Sequence, residues 1–213
     1  RVERVRVAAG DEAAAIARYR RDPNVEYAER NYIRRLPVTL ADGGPRVIPQ
    51  DFHFEEQWAL QNTGQQFYCI PFPFGGQLCL YGGTSDADID APEAWAISKG
   101  SAAVTVAVID TGVDYTHPDL APNYAGGDDF VFLDGDPMDD HGHGTHVAGT
   151  IAAPLDNLTG DPATAEGVTG VAPNARILAY KVCRADGTCG DFAIQQAIAR
   201  AVTDGASGIN LSL

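Results

Sequence analysis

The alternation of apolar strands with helices in the second half of the chain constrains its fold most. The first of these strands is apolar apart from Thr105, as in a parallel sheet covered on both faces. We therefore expect an α/β domain with a parallel sheet, in which the last strand is a central one. The periodicity predicts strands at 104–109, 177–182 and 208–213, and helices at 147–153 and 192–203.

Charge separates the first 36 residues from the rest. Residues 1–36 hold nine Arg against six Asp or Glu, a net charge of +3, whereas the remainder of the chain carries −17. This first segment has the pattern of a strand, a helix and a second strand, and residues 37–50 are turn-rich. We predict a small α+β piece at 1–36, a linker at 37–50 and the α/β domain at 51–213.

The acidic balance argues against some classes of function. Nucleic-acid binding needs a positive face, which a net charge of −14 does not supply. The sequence contains no stretch of about 18 apolar residues, so we expect no membrane span. The chain begins in a charged, strand-like segment without the pattern of a leader peptide, so we expect its start to be a truncation edge.

The four cysteines form two local pairs. Cys69 and Cys79 are separated by nine residues, and Cys183 and Cys189 by five. Four cysteines allow three connectivities, and the short glycine-containing loops favour local pairing. Disulfides would indicate an exported protein. Free or metal-bound thiols are the alternative, although no Cys-x-x-Cys spacing is present.

Two motifs in the α/β region carry acid–base chemistry. Residues 106–112, Val-Ala-Val-Ile-Asp-Thr-Gly, bring Asp110 from an apolar strand into a turn. Residues 141–149, His-Gly-His-Gly-Thr-His-Val-Ala-Gly, place His143 at the start of a helix, between two glycines that leave room for a substrate backbone. An aspartate that orients a histidine, which takes the proton of a serine, makes two members of a catalytic triad.

Other interpretations of these residues stay open. Asp110 alone would cap a turn, and His143 alone would be a structural histidine. His146 lies three residues further along the helix and is expected to pack or to form a hydrogen bond. Together with His141 these histidines would suit a metal-dependent hydrolase, but their spacing is not His-Glu-x-x-His.

Five motifs in a fixed order carry a resemblance to a family. Over residues 50–213 the chain resembles the subtilisin-like serine proteases, the subtilases. The resemblance implies a three-layer α/β fold with a parallel sheet, truncated at its C-terminal side. It also implies that Asp110 is the triad aspartate and that His143 is the general base. The motifs are Val-Ile-Asp-Thr-Gly at 108–112, His-Pro-Asp-Leu at 117–120, His-Gly-Thr-His-Val-Ala-Gly at 143–149, Gly-Val-Ala-Pro at 170–173 and Asn-Leu-Ser-Leu at 210–213.

The nucleophile and the oxyanion asparagine of the family have no counterpart up to Leu213. The single Gly-Thr-Ser, at 83–85, precedes Asp110 and has the pattern of a turn. We therefore expect the N-terminal part of a secreted serine endopeptidase precursor, which is inactive alone. A non-catalytic subtilase-like binding or propeptide-chaperone module is the alternative, and the two intact motifs argue against it.

The resemblance also implies partners. Residues 1–36 resemble the C-terminal part of the family's inhibitory propeptide, above all Val-Glu-Tyr-Ala-Glu at 25–29, and the processing site would lie in the linker. This propeptide and protein or peptide substrates are the expected partners. We expect neither nucleic acid nor membrane as a partner, and a monomer when the protein is complete.

Substrate would add as a strand between two segments near the active site. The resemblance places Gly187 and Gly190 on one side of that strand, and Ser212 and Leu213 on the other. The Cys183–Cys189 loop would then stiffen the first side.

Structural calcium is the cofactor that the resemblance implies. Residues 128–140 contain six aspartates and resemble a calcium loop, for which a solvated acidic loop is the alternative. A second site resembles the family's high-affinity calcium site, with loop 154–169 beside it. The candidate ligands are Asp129, Asp134, Asp136 and Asp139 in the first site, and Asp51 and Asp119 in the second.

Overall fold

The structure is a computed structural model that describes residues 7, 10–25, 28, 44–71, 77–81, 84–157 and 167–213. For residues 66–71 and 77–81 it describes the backbone only. The chain forms two compact units, Arg1–Asp42 and Gly43–Leu213. The three predicted regions, with boundaries after residues 36 and 50, stay a prediction.

The described elements follow one another along the chain with helices between the strands of the second unit. The helices are α1 (Glu12–Tyr19), α2 (Ala91–Ile97), α3 (His143–Ala152) and α4 (Asp191–Thr203), and the strands are β1 (Gln66–Pro71), β2 (Gln77–Tyr81), β3 (Thr105–Asp110), β4 (Tyr124–Asp129), β5 (Arg176–Lys181) and β6 (Gly208–Leu211).

Helix α1 lies in the first unit. It begins after Asp11 and carries Arg18 in its last turn, which suits the helix dipole. None of its residues is buried within this small unit. The strands predicted on either side of it, near residues 2–7 and 25–29, lie largely outside the described residues.

A parallel sheet forms the centre of the second unit. Its strand order is β4-β5-β3-β6, and all three pairs of neighbours are parallel. In the ladder between β3 and β5, Thr105 lies opposite Arg176 and Asp110 lies opposite Lys181. The prediction of an α/β fold with a parallel sheet is confirmed. Within the described strands β6 lies at an edge, beside β3.

The alternation of side chains along β3 divides the core into two layers. Ala107 and Ile109 pack with Ala197 and Ala201 of α4 on one face. Val108 points to the other face, where the buried core includes Ala148 and Ala152 of α3 and Ile177 and Ala179 of β5. Successive side chains of a strand point to opposite faces, so β3 packs against α4 on one face and against α3 on the other. The three layers are therefore helix, sheet and helix.

Strand β4 was not predicted from the sequence. Its residues, Tyr-Ala-Gly-Gly-Asp-Asp, have low strand propensity. A Cβ atom on Gly127 would lie 1.9 Å from the carbonyl oxygen of Ala179, so the close approach of β5 requires glycine there. Neighbouring backbone, which local sequence does not reveal, selects the strand conformation of this segment.

A smaller apolar cluster covers the start of the second unit. Phe54, Leu60 and Trp95 are buried together, and the Trp95 indole N–H donates to the carbonyl oxygen of Val171 over 3.0 Å. The N–H of Val47 donates to the carbonyl oxygen of Pro92 over 2.9 Å. Residues 44–50 of the predicted linker therefore lie within the second unit, where Val47 is bonded to α2.

The two predicted cysteine pairs differ in what the structure describes. The Cys183–Cys189 disulfide is present, with an S–S distance of 2.08 Å. Cys69 and Cys79 are directly opposite in the antiparallel β1–β2 pair, but their side chains lie outside the described residues. In the described part of the chain, no helix combines the length and the apolar character needed to cross a bilayer.

Replacing Gly127 with alanine tests the close approach of β4 to β5. The added methyl group would overlap the Ala179 carbonyl, so we expect the Gly127→Ala variant to lose about 3 kcal/mol of unfolding free energy. Urea unfolding measures this loss. Gly208→Ala is the matched control in the same sheet, since its Cβ meets no described atom within 4 Å. Equal midpoints for the two variants would contradict the expectation.

Candidate active site

The centre of the site is a hydrogen bond between a buried carboxylate and an imidazole. Asp110 is the last residue of β3, and His143 is the first residue of α3. The distance from Nδ1 of His143 to Oδ1 of Asp110 is 2.7 Å. An ionised carboxylate only accepts hydrogen bonds, so Nδ1 carries the proton. Nε2 is then the nitrogen available to accept a proton from another group.

Burial strengthens this pair. The Asp110 side chain is buried, whereas that of His143 is 45% exposed. Oδ1 of Asp110 also accepts the N–H of Thr111 over 2.7 Å. Oδ2 is buried and has no hydrogen-bond partner among the described residues. The imidazole of His143 is therefore the side chain to which this buried carboxylate is bonded, and the bond fixes the orientation of the ring.

Glycines let α3 approach the turn that follows Asp110. A Cβ atom on Gly144 would lie 2.1 Å from the carbonyl oxygen of Gly112 and 3.0 Å from Cβ of Asp110. Gly142 caps α3 in the left-handed region, with φ 99°. The expectation that both glycines leave room for substrate is wrong for Gly144, which is buried against the aspartate turn.

Asp139 accepts five hydrogen bonds, four from the start of α3 and one from the turn after β3. Its Oδ1 accepts the Thr111 hydroxyl at 2.8 Å and the backbone N–H groups of His141 and Gly142 at 2.9 and 3.0 Å. Its Oδ2 accepts the backbone N–H and the hydroxyl of Thr145 at 3.0 and 2.5 Å. This cap explains why α3 begins at residue 143, as the histidine motif predicts, although the apolar periodicity predicts a start only at 147.

The donors around Asp139 change its acidity. Burial of the carboxyl group acts to raise its pKa, but the hydrogen bonds from Thr145, Gly142 and His141 outweigh burial and lower the pKa to about 2. Thr111 and Asp139 were not predicted as residues that position the pair. An aspartate four residues before the helix histidine is the available signal, because it resembles a helix cap.

The other two histidines of this motif are exposed. The rings of His141 and His143 are 6.4 Å apart, and His146 is exposed on α3. Among the described side chains, no group of three His, Cys, Asp or Glu residues is placed to hold a metal ion.

The hairpin closed by the Cys183–Cys189 disulfide lies beside His141. Cys183 and Cys189 form an antiparallel bridge, and the N–H of Arg184 donates to the carbonyl oxygen of Thr188 over 2.9 Å. A Cβ atom on Gly187, which has a φ of 80°, would lie 3.6 Å from Nε2 of His141. The tip of the hairpin thus lies next to the imidazole ring of His141.

The remaining predicted substrate-binding residues flank the same end of the sheet. Gly190 is exposed and caps α4. Leu211 lies opposite Ile109 in the parallel ladder, so Ser212 and Leu213 follow β6 at the end of the sheet where Asp110 follows β3. Both terminal residues are exposed. Their role in binding substrate stays a prediction.

Asp51 and Asp119 are buried close to each other. Oδ2 of Asp51 accepts the hydroxyl of Thr169 at 2.5 Å and the N–H of Asp156 at 2.9 Å. Oδ2 of Asp119 accepts the N–H of Val168 at 2.9 Å. The Oδ1 atoms of both aspartates are buried and have no hydrogen-bond partner among the described residues.

The electrostatic environment of Asp119 reflects this arrangement. Burial raises the pKa of Asp119, and the negative charge of Asp51 acts in the same direction. Hydrogen bonds from Val168 and Asn157 act against burial. Burial and the neighbouring Asp51 carboxylate therefore both disfavour the ionised form of Asp119.

The structure distributes the four candidate ligands of the acidic loop rather than gathering them. Asp129 is buried and accepts the N–H groups of residues 131 and 132, so it holds the turn after β4. Asp134 accepts the N–H of Asp136, and Asp136 accepts the Tyr115 hydroxyl over 3.0 Å. Asp139 binds the start of α3. The calcium loop stays a prediction.

Comparison with known proteins agrees with this geometry. The sequence profile of the Subtilase family matches residues 101–213, which is more than half of the chain. The chain belongs to the subtilase family. The matched region contains both Asp110 and His143, so the family resemblance found in the motifs is confirmed.

Relatives of this subtilase are proteases by name. It is 38% identical over 205 residues to the thermophilic serine proteinase of Bacillus sp. (strain AK1), covering 96% of this chain and 41% of that protein. It is 45% identical over 125 residues to thermitase of Thermoactinomyces vulgaris, covering 59% of this chain and 42% of thermitase. The minor extracellular protease Vpr of Bacillus subtilis (strain 168) is 43% identical over 136 residues, covering 59% of this chain and 16% of Vpr. The chain therefore spans about two fifths of the first two of these relatives.

Replacing Asp139 with asparagine tests the cap of α3. The folded pKa of Asp139, about 2, lies below its ordinary value of 3.8, so its contribution is present above pH 3.8 and is lost as the pH falls through about 2. After allowance for solvent screening, we expect Asp139→Asn to cost about 1 kcal/mol of unfolding free energy near pH 6 and little near pH 2.

Urea unfolding between pH 2 and 6, with a chelator present, measures this difference. Asp134→Asn is the matched control, because its exposed carboxylate accepts a single described hydrogen bond, from the N–H of Asp136. A loss for Asp139→Asn that is equal at both ends of the pH range would contradict the assigned role of its charge.

Proposed function

We propose that the complete protein is a secreted serine endopeptidase of the subtilisin type. The observation that carries the proposal is the 2.7 Å bond between Nδ1 of His143 and the buried Asp110 carboxylate. This bond holds the imidazole in the orientation that a histidine needs to act as a general base toward a hydroxyl nucleophile. The names of the relatives support the reaction class, and the name of Vpr supports secretion.

In the proposed reaction His143 acts first as a base and then as an acid. Nε2 takes the proton of a serine hydroxyl while its oxygen attacks the scissile carbonyl, and it then gives that proton to the leaving amine. Asp110 stabilises the imidazolium that forms between these steps. A water molecule then repeats the sequence on the acyl-enzyme and releases the acid product.

The proposal places the nucleophilic serine and an oxyanion donor outside this chain. The Gly-Thr-Ser at 83–85 precedes β3, and Ser85 contributes to a small cleft lined by Arg46 and Glu93. It is therefore not proposed as the nucleophile. We expect the 213-residue chain alone to have no useful peptidase activity, because covalent catalysis and oxyanion stabilisation both require those absent groups.

Protein or peptide substrates would bind as an extended strand at the rim of the site. The hairpin that carries Gly187 borders His141, and its disulfide limits its motion. Backbone pairing along this edge would hold the substrate in the extended form that endopeptidases cleave. The basic segment 1–36 is proposed to be an inhibitory propeptide, and the complete enzyme is proposed to act as a monomer.

Asp51 and Asp119 suit a structural calcium ion. Each has one buried carboxylate oxygen without a hydrogen-bond partner among the described residues, and calcium prefers such hard oxygen ligands. A divalent cation would neutralise the repulsion between the two carboxylates. The ion would tie the segment at residue 51 to the His-Pro-Asp-Leu segment, close to Asp156 and Val168, whose N–H groups bond these carboxylates.

Substitution of the pair tests the catalytic proposal. In the protein expressed from its complete gene, we expect Asp110→Asn to lower kcat for a peptide amide by about 10⁴-fold, because the asparagine amide favours the wrong imidazole tautomer and removes the negative charge. His143→Ala should lower kcat at least as much. His146→Ala is the matched control on the same helix, and its kcat should stay within about twofold of wild type.

The class of inhibitor separates the proposed function from its alternatives. A serine-reactive reagent should abolish activity, whereas a zinc chelator should not. The reverse result would favour the metal-dependent hydrolase. A complete protein with no amidase activity and no reactive serine would favour the non-catalytic binding module.

Calcium removal tests the ion site. We expect calcium at about 100 times its Kd to add about 2.7 kcal/mol of stability to the wild-type protein, measured as a rise in Tm. Asp119→Asn should lose most of this rise, because it removes the charge of one ligand. Asp134→Asn is the control, and its rise should be unchanged. A full calcium response in Asp119→Asn that is lost in Asp134→Asn would instead favour the acidic loop as the site.

A further inference from the structure

A buried lysine lies beside the catalytic pair and has no part in the proposed reaction. Lys181 is the last residue of β5, and its side chain is 1% exposed. The sequence contains one other lysine, Lys99. A buried ammonium group is strongly destabilising unless good acceptors surround it. The contacts that compensate for its burial therefore indicate what it does.

Two acceptors hold the ammonium group. Nζ of Lys181 donates to the backbone carbonyl of Thr111 and to Oδ1 of Asp140, each over 2.5 Å. The Asp140 side chain is 40% exposed, so the ion pair reaches from the buried end of the sheet to the surface of the site. A bond to a charged partner and a bond to a backbone carbonyl together fix the position of Nζ.

These acceptors belong to the two segments that carry the catalytic residues. Thr111 directly follows Asp110, and Asp140 lies three residues before His143. Lys181 itself lies opposite Asp110 in the parallel ladder of β3 and β5. One ammonium group therefore joins the aspartate turn to the segment that leads into α3.

Thr111, the residue whose carbonyl Lys181 binds, also orients the aspartate. The N–H of Thr111 donates to Oδ1 of Asp110, and the Thr111 hydroxyl accepts the N–H of Gly144 over 2.9 Å. A shift of the Thr111 backbone would therefore move both sides of the carboxylate–imidazole pair. The β5 strand reinforces this point, because the N–H of Val182 donates to the carbonyl oxygen of Asp110 over 2.8 Å.

We propose that Lys181 is a positioning residue, which holds the Asp110–His143 hydrogen bond in its reactive geometry through Thr111 and Asp140. This inference rests on the proposed peptidase function and adds a residue to its machinery. Lys181 does not reach the substrate. Its side chain acts by restraining the two segments whose relative position sets the distance from the imidazole to the carboxylate.

The Lys181→Met variant tests this role in the protein expressed from its complete gene. Methionine fills the buried space without a donor, so the Thr111 carbonyl and Asp140 lose their shared partner. We expect kcat for a peptide amide to fall about 100-fold with KM within about twofold, because small misplacements of a catalytic group have effects of that size. Lys99→Met is the matched control, and its kcat should equal that of wild type.

A spectroscopic readout separates positioning from simple loss of stability. A histidine Nδ1 proton held by a buried carboxylate gives a low-field proton NMR resonance, which the His143→Ala variant identifies. We expect this resonance to be lost or broadened in Lys181→Met and to persist in Lys99→Met. A folded Lys181→Met variant with the resonance intact and kcat within twofold of wild type would overturn the proposal.

A second variant keeps the test decisive if Lys181→Met does not fold. Asp140→Asn leaves the ammonium bound to Thr111 and changes a partly exposed side chain. We expect it to broaden the resonance and to lower kcat about tenfold, and an unchanged resonance and kcat would overturn the proposal. If the wild-type protein shows the resonance but no amidase activity, the proposed function fails, while the resonance still tests Lys181.

Discussion

The hydrogen bond between the buried Asp110 carboxylate and His143 is the interaction on which the rest of the structure depends. An ionised carboxylate inside a protein is unfavourable unless the surrounding groups are held in place. Here the parallel sheet delivers the aspartate to its carboxyl edge, and glycine at position 144 lets α3 come close enough for the imidazole to reach it. Asp139 then fixes the start of that helix.

The same end of the sheet collects the other features of the site. Parallel strands place their carboxyl ends together, so the turn after β3, the hairpin after β5 and the residues after β6 become neighbours. The disulfide hairpin and the aspartate turn are linked directly, because the N–H of Cys183 donates to the carbonyl oxygen of Asp110 over 3.2 Å. Rigid elements thus position a site formed largely by loops.

The accuracy of the sequence predictions varied with the source of the signal. The apolar periodicity located β3, β5 and α4 to within one residue at each end, because their burial repeats with the period of the element. Strand β4 was missed, since its two glycines and two aspartates carry no such pattern. The pairing of β1 with β2 was also missed, because the segment that contains them shows few regular signals.

The sequence alone determined the family, the two motifs that carry Asp110 and His143, and the parallel α/β architecture, because the motifs are short local patterns and the architecture follows from the alternation of apolar strands and helices. The tertiary structure decided the roles of Gly144, Asp139 and Lys181. Their partners lie far away in the chain: Gly144 meets the carbonyl oxygen of Gly112, and Lys181 binds Asp140 across 41 positions. Such contacts arise only when the sheet and helices are packed, since local sequence does not specify which distant backbone comes within hydrogen-bonding distance.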